Sequence, residues 1–321
     1  MEASWLMTSP PSLPLPGDVL SADTKCPINE TVLMHFPDGR RQTSIPPTMA
    51  HQSRAPAYVT PSYRLLPEST GSDALDDAVD AAKWVAANIT PRVVIAGSSA
   101  GGYLAVATAA QLTTVTPKPL AVLSVYGMLD LAHRRYLTPG TSVMNQPSIP
   151  HVAPLVDQIA AAKGVDVKDA YPFPAAPAQD RRMHWIAAVH QEALFPDLLA
   201  GVPGMARKIA EAGVEAVEPA RRRLFPLAFG AAKGLPPTAL LHGTEDSAVG
   251  VEQSVAAAAV LEEAGVEVLL RTVPGREHWF GLRELSPDAD VEATEDAGSP
   301  VVQSLRDVIQ FLDSAVARSQ T

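Results

Sequence analysis

A mainly parallel α/β sheet is the fold class that the sequence predicts, on three observations. Short β-branched, near-continuously apolar runs recur along the chain, amphipathic helical patterns separate them, and a glycine-crowded turn joins one such run to an alanine-rich helix. Apolar runs without alternation are what strands buried on both faces of a sheet require. Strands that alternate with helices imply parallel crossovers.

The runs are "TVLMHF" (31–36), "AYVTPSY" (57–63), "RVVIAG" (92–97), "LAVLSVYG" (120–127), "TALLHG" (238–243) and "VEVLLRTV" (266–273). Between them, 73–89 repeats Leu75, Val79, Ala82, Val85 and Ile89 at helical spacing. A second helix is expected over 251–264, ending at Gly265, and a last one from Ser299 as N-cap and Pro300 at N1, with Val302, Leu305, Ile309, Leu312 and Val316 on one stripe. The rhythm breaks between about 131 and 234, where prolines and helical pieces (181–200, 205–213) carry no buried strand. A helical insertion between two strands is read as a lid over the sheet's carboxyl edge. The proline-rich lead-in, residues 1–30, is expected to be extended.

Bulk properties narrow the function. The net charge is −10 over 321 residues, which argues against nucleic-acid partners and anionic membranes, because both need clustered Lys and Arg. Arg181–Arg182 and Arg221–Arg223 are the tight basic clusters and read as solvated helix faces. The single cysteine, Cys26, excludes an internal disulfide and a cysteine-built zinc site. No apolar stretch reaches the roughly 18 residues of a membrane span, and the N-terminus lacks a basic start and a long apolar core. The expectation is a cytoplasmic protein of one domain, 1–321, acting on a small molecule, with a homodimer left open.

Chemistry concentrates in "VVIAGSSAGGYLAVATAAQL" (93–112). Gly97-Ser98-Ser99-Ala100-Gly101 fits G-x-S-x-G, with an apolar strand before it and a helix after it. The five letters alone are weak; the strand–turn–helix context strengthens them. A serine at such a turn needs a base, and the base needs an orienting carboxylate. "LLHGTEDSAVG" supplies Asp246, with Glu245 as the lesser choice, and "VPGREHWFG" supplies His278. Both follow strand ends, at the edge where open α/β sheets build sites. The Ala100 N–H opens a helix and suits a developing oxyanion.

"GSSAGG", "SYRLLPE" (62–68), "VYGMLDL" (125–131), "LPPTALLHGTEDSAV" (235–249) and "EHWF" resemble the hormone-sensitive-lipase-like esterases of the α/β-hydrolase superfamily, especially their fungal branch. The resemblance runs from about residue 32 to 317. It implies an α/β-hydrolase fold with an eight-stranded sheet, a helical cap that combines residues 1–30 with about 131–234, and neither metal nor organic cofactor. It also implies a triad of Ser99, Asp246 and His278. Ser62 and Ser98 stand where the family usually has Asp. The family's His-Gly-Gly-Gly oxyanion run is replaced by "HFPDG" (35–39), where Pro37 has no N–H to donate and Asp38 or Gly39 is the alternative donor beside Ala100.

Tyr103, Tyr126, Trp185 and Trp279 are candidates to touch substrate, and Trp185, Phe195, Phe225 and Phe229 either line an acyl pocket or pack the lid. Asp76, Asp77 and Asp80 read as a solvated helix face, and His242 as structural. Three functions follow: a serine hydrolase of small to medium esters, lactones or thioesters, with a role in secondary metabolism; a cyclase, lyase or isomerase on the same scaffold; or a silent binding protein.

Overall fold

A computed structural model describes residues 6–7, 31–36, 57–169, 180–281, 285, 291 and 298–319. The sheet contains β1 (Leu6–Met7), β2 (Val32–Phe36), β3 (Ala57–Thr60), β4 (Val93–Ser98), β5 (Ala121–Val125), β6 (Thr238–Gly243) and β7 (Val268–Val273), in the order β1-β3-β2-β4-β5-β6-β7. The pairs from β3 to β7 are all parallel; only β1 runs antiparallel, at the edge beside β3. The expected eight strands are therefore corrected to six parallel ones and a two-residue edge among the described residues.

The crossovers are helical. Helix α1 (Gly71–Asn88) starts on a capping box, in which Thr70 and Asp73 each accept from the other's backbone N–H. Helix α2 (Ala100–Gln111) follows β4 without a linker and is buried on nearly every side, as its alanines permit. Between β5 and β6 come α3 (Arg134–Leu137), α4 (Ala153–Ala162), α5 (Arg181–Gln191), α6 (Phe195–Ala200), α7 (Met205–Ala212) and a 3-10 turn, Pro219–Leu224, with no strand among the described residues. After β6, α8 (Glu252–Glu263) returns the chain to β7. Helix α9 (Pro300–Arg318) closes the fold, with the Ser299 hydroxyl accepting from Val302 N–H as its N-cap. No described helix is long and apolar enough to cross a membrane.

Two cores flank the sheet. One joins Met34, Ile95 and Leu240 to α1, α2 and α8; the other joins Leu33, Val94 and Leu241 to Val302, Leu305 and Val308 of α9. The alternation along each strand assigns residues to one face or the other. The helical insertion packs around Ile159, Trp185, Ala188 and Val189. It is tied to the body by Arg182, whose guanidinium donates to Leu66 O and Glu68 Oε1, each at 2.7 Å, all out of water. Asp76 and Asp80 are exposed, as expected of a solvated helix face, and the face also carries ion pairs. Arg223 from the insertion pairs with Asp76, and Arg64 with Asp77 at 2.8 Å, so the acidic face of α1 is a binding face for arginines.

Two buried histidines have no partner at Nδ1, His35 in β2 and His190 in α5. Burial holds the His35 imidazole down to about 3; burial and then the charge of Arg135 hold His190 down to about 4. Unfolded, both titrate near 6.5. The unfolded chain therefore binds more protons between those values, and stability falls as pH drops from about 6.5 toward 4. Each histidine contributes a slope of up to about 1.4 kcal/mol per pH unit. Denaturant unfolding across that window checks this: the midpoint should fall with pH, and His190→Gln should flatten the dependence.

Candidate active site

The site begins where β4 meets α2. A Cβ on Gly97 would run into the carbonyl of Gly101, and one on Gly102 would come within 2.8 Å of the Gly127 Cα. The two main chains are thus in contact, and the turn between them is too tight for ordinary dihedrals. Ser99 takes the strain at φ 56° and ψ −119°, a conformation that costs a non-glycine residue about 1–3 kcal/mol. Its N–H donates to Val125 O at 2.9 Å, which pins the turn to β5 and leaves the half-buried hydroxyl at the sheet's carboxyl edge.

His278 and Asp246 arrive at the same edge from the loops after β7 and β6. The Ser99 hydroxyl lies 3.2 Å from His278 Nε2, and His278 Nδ1 lies 2.6 Å from Asp246 Oδ2. A carboxylate only accepts, so Nδ1 carries the proton and Nε2 is free to accept from Ser99. Residues separated by 179 and 32 positions in sequence are thereby brought into one relay. Ala100 is the first residue of α2, and its N–H has no intrahelical acceptor.

Asp246 is a buried charge with its acceptors filled. Oδ1 accepts from Ala248 N–H at 2.9 Å and Val249 N–H at 2.8 Å, and Oδ2 takes His278. Burial works against the charge, but the hydrogen bonds of His242 and His278, the charge of His278 and the Val249 N–H together hold the carboxyl well below the usual range. Two further residues brace this turn, and sequence reading did not find them. Glu277 Oε2 accepts from Ser247 N–H at 3.1 Å, the Ser247 hydroxyl at 2.9 Å and His278 N–H at 3.3 Å, linking the acid and base loops. Arg135 of α3 donates through Nη2 to the carbonyls of Ser142, Ser247 and Ala248, each at 3.0 Å. The available signal for Glu277 was its place beside His278; nothing local marked Arg135.

The four aromatic candidates separate. Tyr126 packs on His278 at 4.4 Å between ring centroids and Trp279 at 5.2 Å, with φ of 40° and 64°. Three strained non-glycine residues, Ser99 included, thus surround one imidazole. Tyr103 is instead buried, its hydroxyl donating to Leu224 O at 3.0 Å, so it ties α2 to the insertion. Trp185 lies in the insertion's own core, with Arg181 4.6 Å above its ring. Phe225 and Phe229 line a groove of about 460 Å³ together with Leu129, Ile209 and Val260, which none of Ser99, Asp246 and His278 lines. Phe195 packs on Tyr136 and His190. Pro37, Asp38 and Gly39 lie outside the described residues.

A model for the α/β hydrolase fold matches residues 40–216, more than half of the chain. The chain belongs to the α/β-hydrolase fold family. A model for the prolyl oligopeptidase family matches residues 207–295. Among curated proteins, the chain is 29% identical over 260 residues to a carboxylesterase/phospholipase, LipF, of Mycobacterium tuberculosis, covering 80% of this chain and 53% of that protein. It is 28% identical over 255 residues to a non-reducing polyketide synthase, Preu3, of Preussia isomera, covering 70% of this chain and 10% of the synthase. The chain thus spans about half or less of the length of these relatives. Of solved structures, an α/β hydrolase superfamily protein from Enterococcus faecalis aligns at TM-score 0.62 and 17% identity over 89% of this chain and 91% of that one. A hormone-sensitive-lipase homologue, EstE7, from a metagenome library aligns at 0.53 and 19% over 90% and 79%. The expected membership of the α/β-hydrolase superfamily is borne out, and a hormone-sensitive-lipase homologue is among the structures that share the fold.

The crossing at Gly97 generates a contrast. Gly97→Ala should destabilise by about 3 kcal/mol or more, because backbone rather than a side-chain tip must yield. Ser99→Gly should stabilise by about 1 kcal/mol by relieving φ. Thermal and denaturant unfolding of the two variants beside the wild type check both signs.

Proposed function

We propose that the protein is a serine hydrolase acting on a small to medium carboxylic ester, thioester or lactone, with Ser99, His278 and Asp246 as its triad. The observation that carries this is the hydrogen-bonded relay of 3.2 and 2.6 Å ending on a serine held in a strained turn at a helix start. Ser99 Oγ attacks the carbonyl carbon while its proton passes to His278 Nε2, and Asp246 holds the imidazolium that results. The tetrahedral oxyanion sits at the start of α2 and takes the Ala100 N–H, with Asp38 or Gly39 as the second donor. Collapse expels the alcohol or thiol, which takes the proton from Nε2. Water, deprotonated by the same nitrogen, then frees the acyl group from Ser99 and returns its proton through His278.

Residues 131–234 act as the cap in this reading, and Tyr126 and Trp279 beside His278 are its best-placed substrate contacts. The kinship with a protein named as a carboxylesterase/phospholipase supports ester substrates. The match to a polyketide synthase supports a secondary metabolite as their source.

A second reading rests on Pro37. A hole deprived of one donor loses about 10²–10³ in rate, some 2.7–4 kcal/mol. A scaffold so weakened suits cyclisation, elimination or isomerisation, with His278 as general acid or base.

A fluorophosphonate probe decides between them, applied to the wild type, Ser99→Ala and His278→Ala. The hydrolase reading expects a covalent adduct on the wild type alone, with ester turnover lost by about 10⁴-fold or more in either variant. A folded wild type that takes no adduct would overturn it and leave the non-hydrolytic reading standing.

A further inference from the structure

Asp246 is contacted by a second histidine. His242, the fifth residue of β6, is wholly buried in a strand whose preceding residues are Leu240 and Leu241. An imidazole in such a place is costly unless both nitrogens are paired, and both are. Nδ1 lies 2.7 Å from the Ser254 hydroxyl of α8. Nε2 lies 2.8 Å from Val249 O and 3.3 Å from Asp246 Oδ2. A carbonyl and a carboxylate can only accept, so Nε2 bears a hydrogen shared between them, and bare Nδ1 accepts from Ser254. The carboxylate oxygen concerned is the one that receives His278 Nδ1–H at 2.6 Å.

We propose that His242 is a positioning residue of the relay, its Nε2–H sharing Asp246 Oδ2 with His278 and so fixing both the direction of that oxygen and the charge it presents. The proposal rests on the serine-hydrolase reading for the step it serves. Val249 O and Asp246 Oδ2, which only accept, fix the tautomer, and Ser254 anchors the opposite nitrogen, so the donor cannot turn away. A residue that only filled the strand would have no use for a fixed tautomer, and leucine would pack there without any partner.

The consequence has a sign. A hydrogen bond donated to an anion disperses its charge. Without it, His278 faces a more concentrated carboxylate, protonated imidazole is favoured, and the base is lost at higher pH. The other charged and titratable groups around the pair stay in place: Glu277 and Arg276 on the His278 loop, Glu245 beside the acid, Arg135 and Tyr136 from α3, Glu252 at the start of α8, and Tyr126 over the ring.

The test compares His242→Leu, His242→Gln and Ser254→Ala with the wild type. Two readouts are taken: the pH dependence of the second-order fluorophosphonate rate, and the low-field proton resonance of the His278–Asp246 hydrogen bond. His242→Leu should lower the plateau rate about three- to tenfold, move the acidic limb to higher pH and shift the resonance downfield. His242→Gln, whose amide can donate from the same place, should restore most of the rate and the limb. Ser254→Ala should move both readouts in the direction of His242→Leu by less, and it decides the matter if His242→Leu does not fold. A folded His242→Leu or Ser254→Ala with the wild-type limb and resonance would overturn the proposal. A wild type that takes no adduct would overturn the hydrolytic reading instead, and the resonance alone would then decide the part played by His242.

Discussion

Two stretches of main chain touch at Gly97 and Gly101, and the rest of the site is arranged around that contact. With no room for a side chain, β4 must pass into α2 within one residue, and Ser99 is the residue that absorbs the turn. The strain is local and modest, and it is held by the burial of β4 and α2 in the two cores. A parallel sheet does the remainder. Because β4, β6 and β7 run the same way, their following loops emerge at one edge, and each brings one member of the relay there. Ser99 is held by backbone, whereas Asp246 and His278 are held by hydrogen bonds between loops.

Asp246 shows how those loops are fixed. A buried carboxylate is unstable unless its oxygens are satisfied, and here two N–H groups and two imidazoles satisfy them. Each donor comes with a piece of structure attached. Ala248 and Val249 impose a tight turn after the acid, His278 fixes the β7 loop, and His242 ties the turn back to the strand that precedes it. The carboxylate thus organises the loops as well as orienting the His278 ring.

Much of this was legible in the sequence, and what was not has a common cause. Strands β2, β4, β5 and β6 stand out because buried strands are continuously apolar, and α9 because its stripe and its Ser299-Pro300 start agree. The order Ser99, Asp246, His278 is visible because each follows a strand end. Missed features all depend on which distant residues meet. Asp76 is exposed, as its helix face predicts, but nothing near it in sequence marks its pairing with Arg223, 147 positions later. Tyr103 looks like a substrate contact until its hydroxyl is found on Leu224 O.

The guanidinium of Arg135 bears on how such a protein can change. It holds the backbone of the acid turn from within the helical insertion, through carbonyls that any sequence would offer at those positions. The insertion is therefore not an interchangeable roof. A chimera carrying a foreign one would inherit the Ser99 turn intact, since the glycine crossing belongs to the sheet, but would leave two carbonyls beside Asp246 without their donor. Exchange of this segment between relatives would succeed only where the incoming piece brings its own arginine, or where the acid turn is replaced with it.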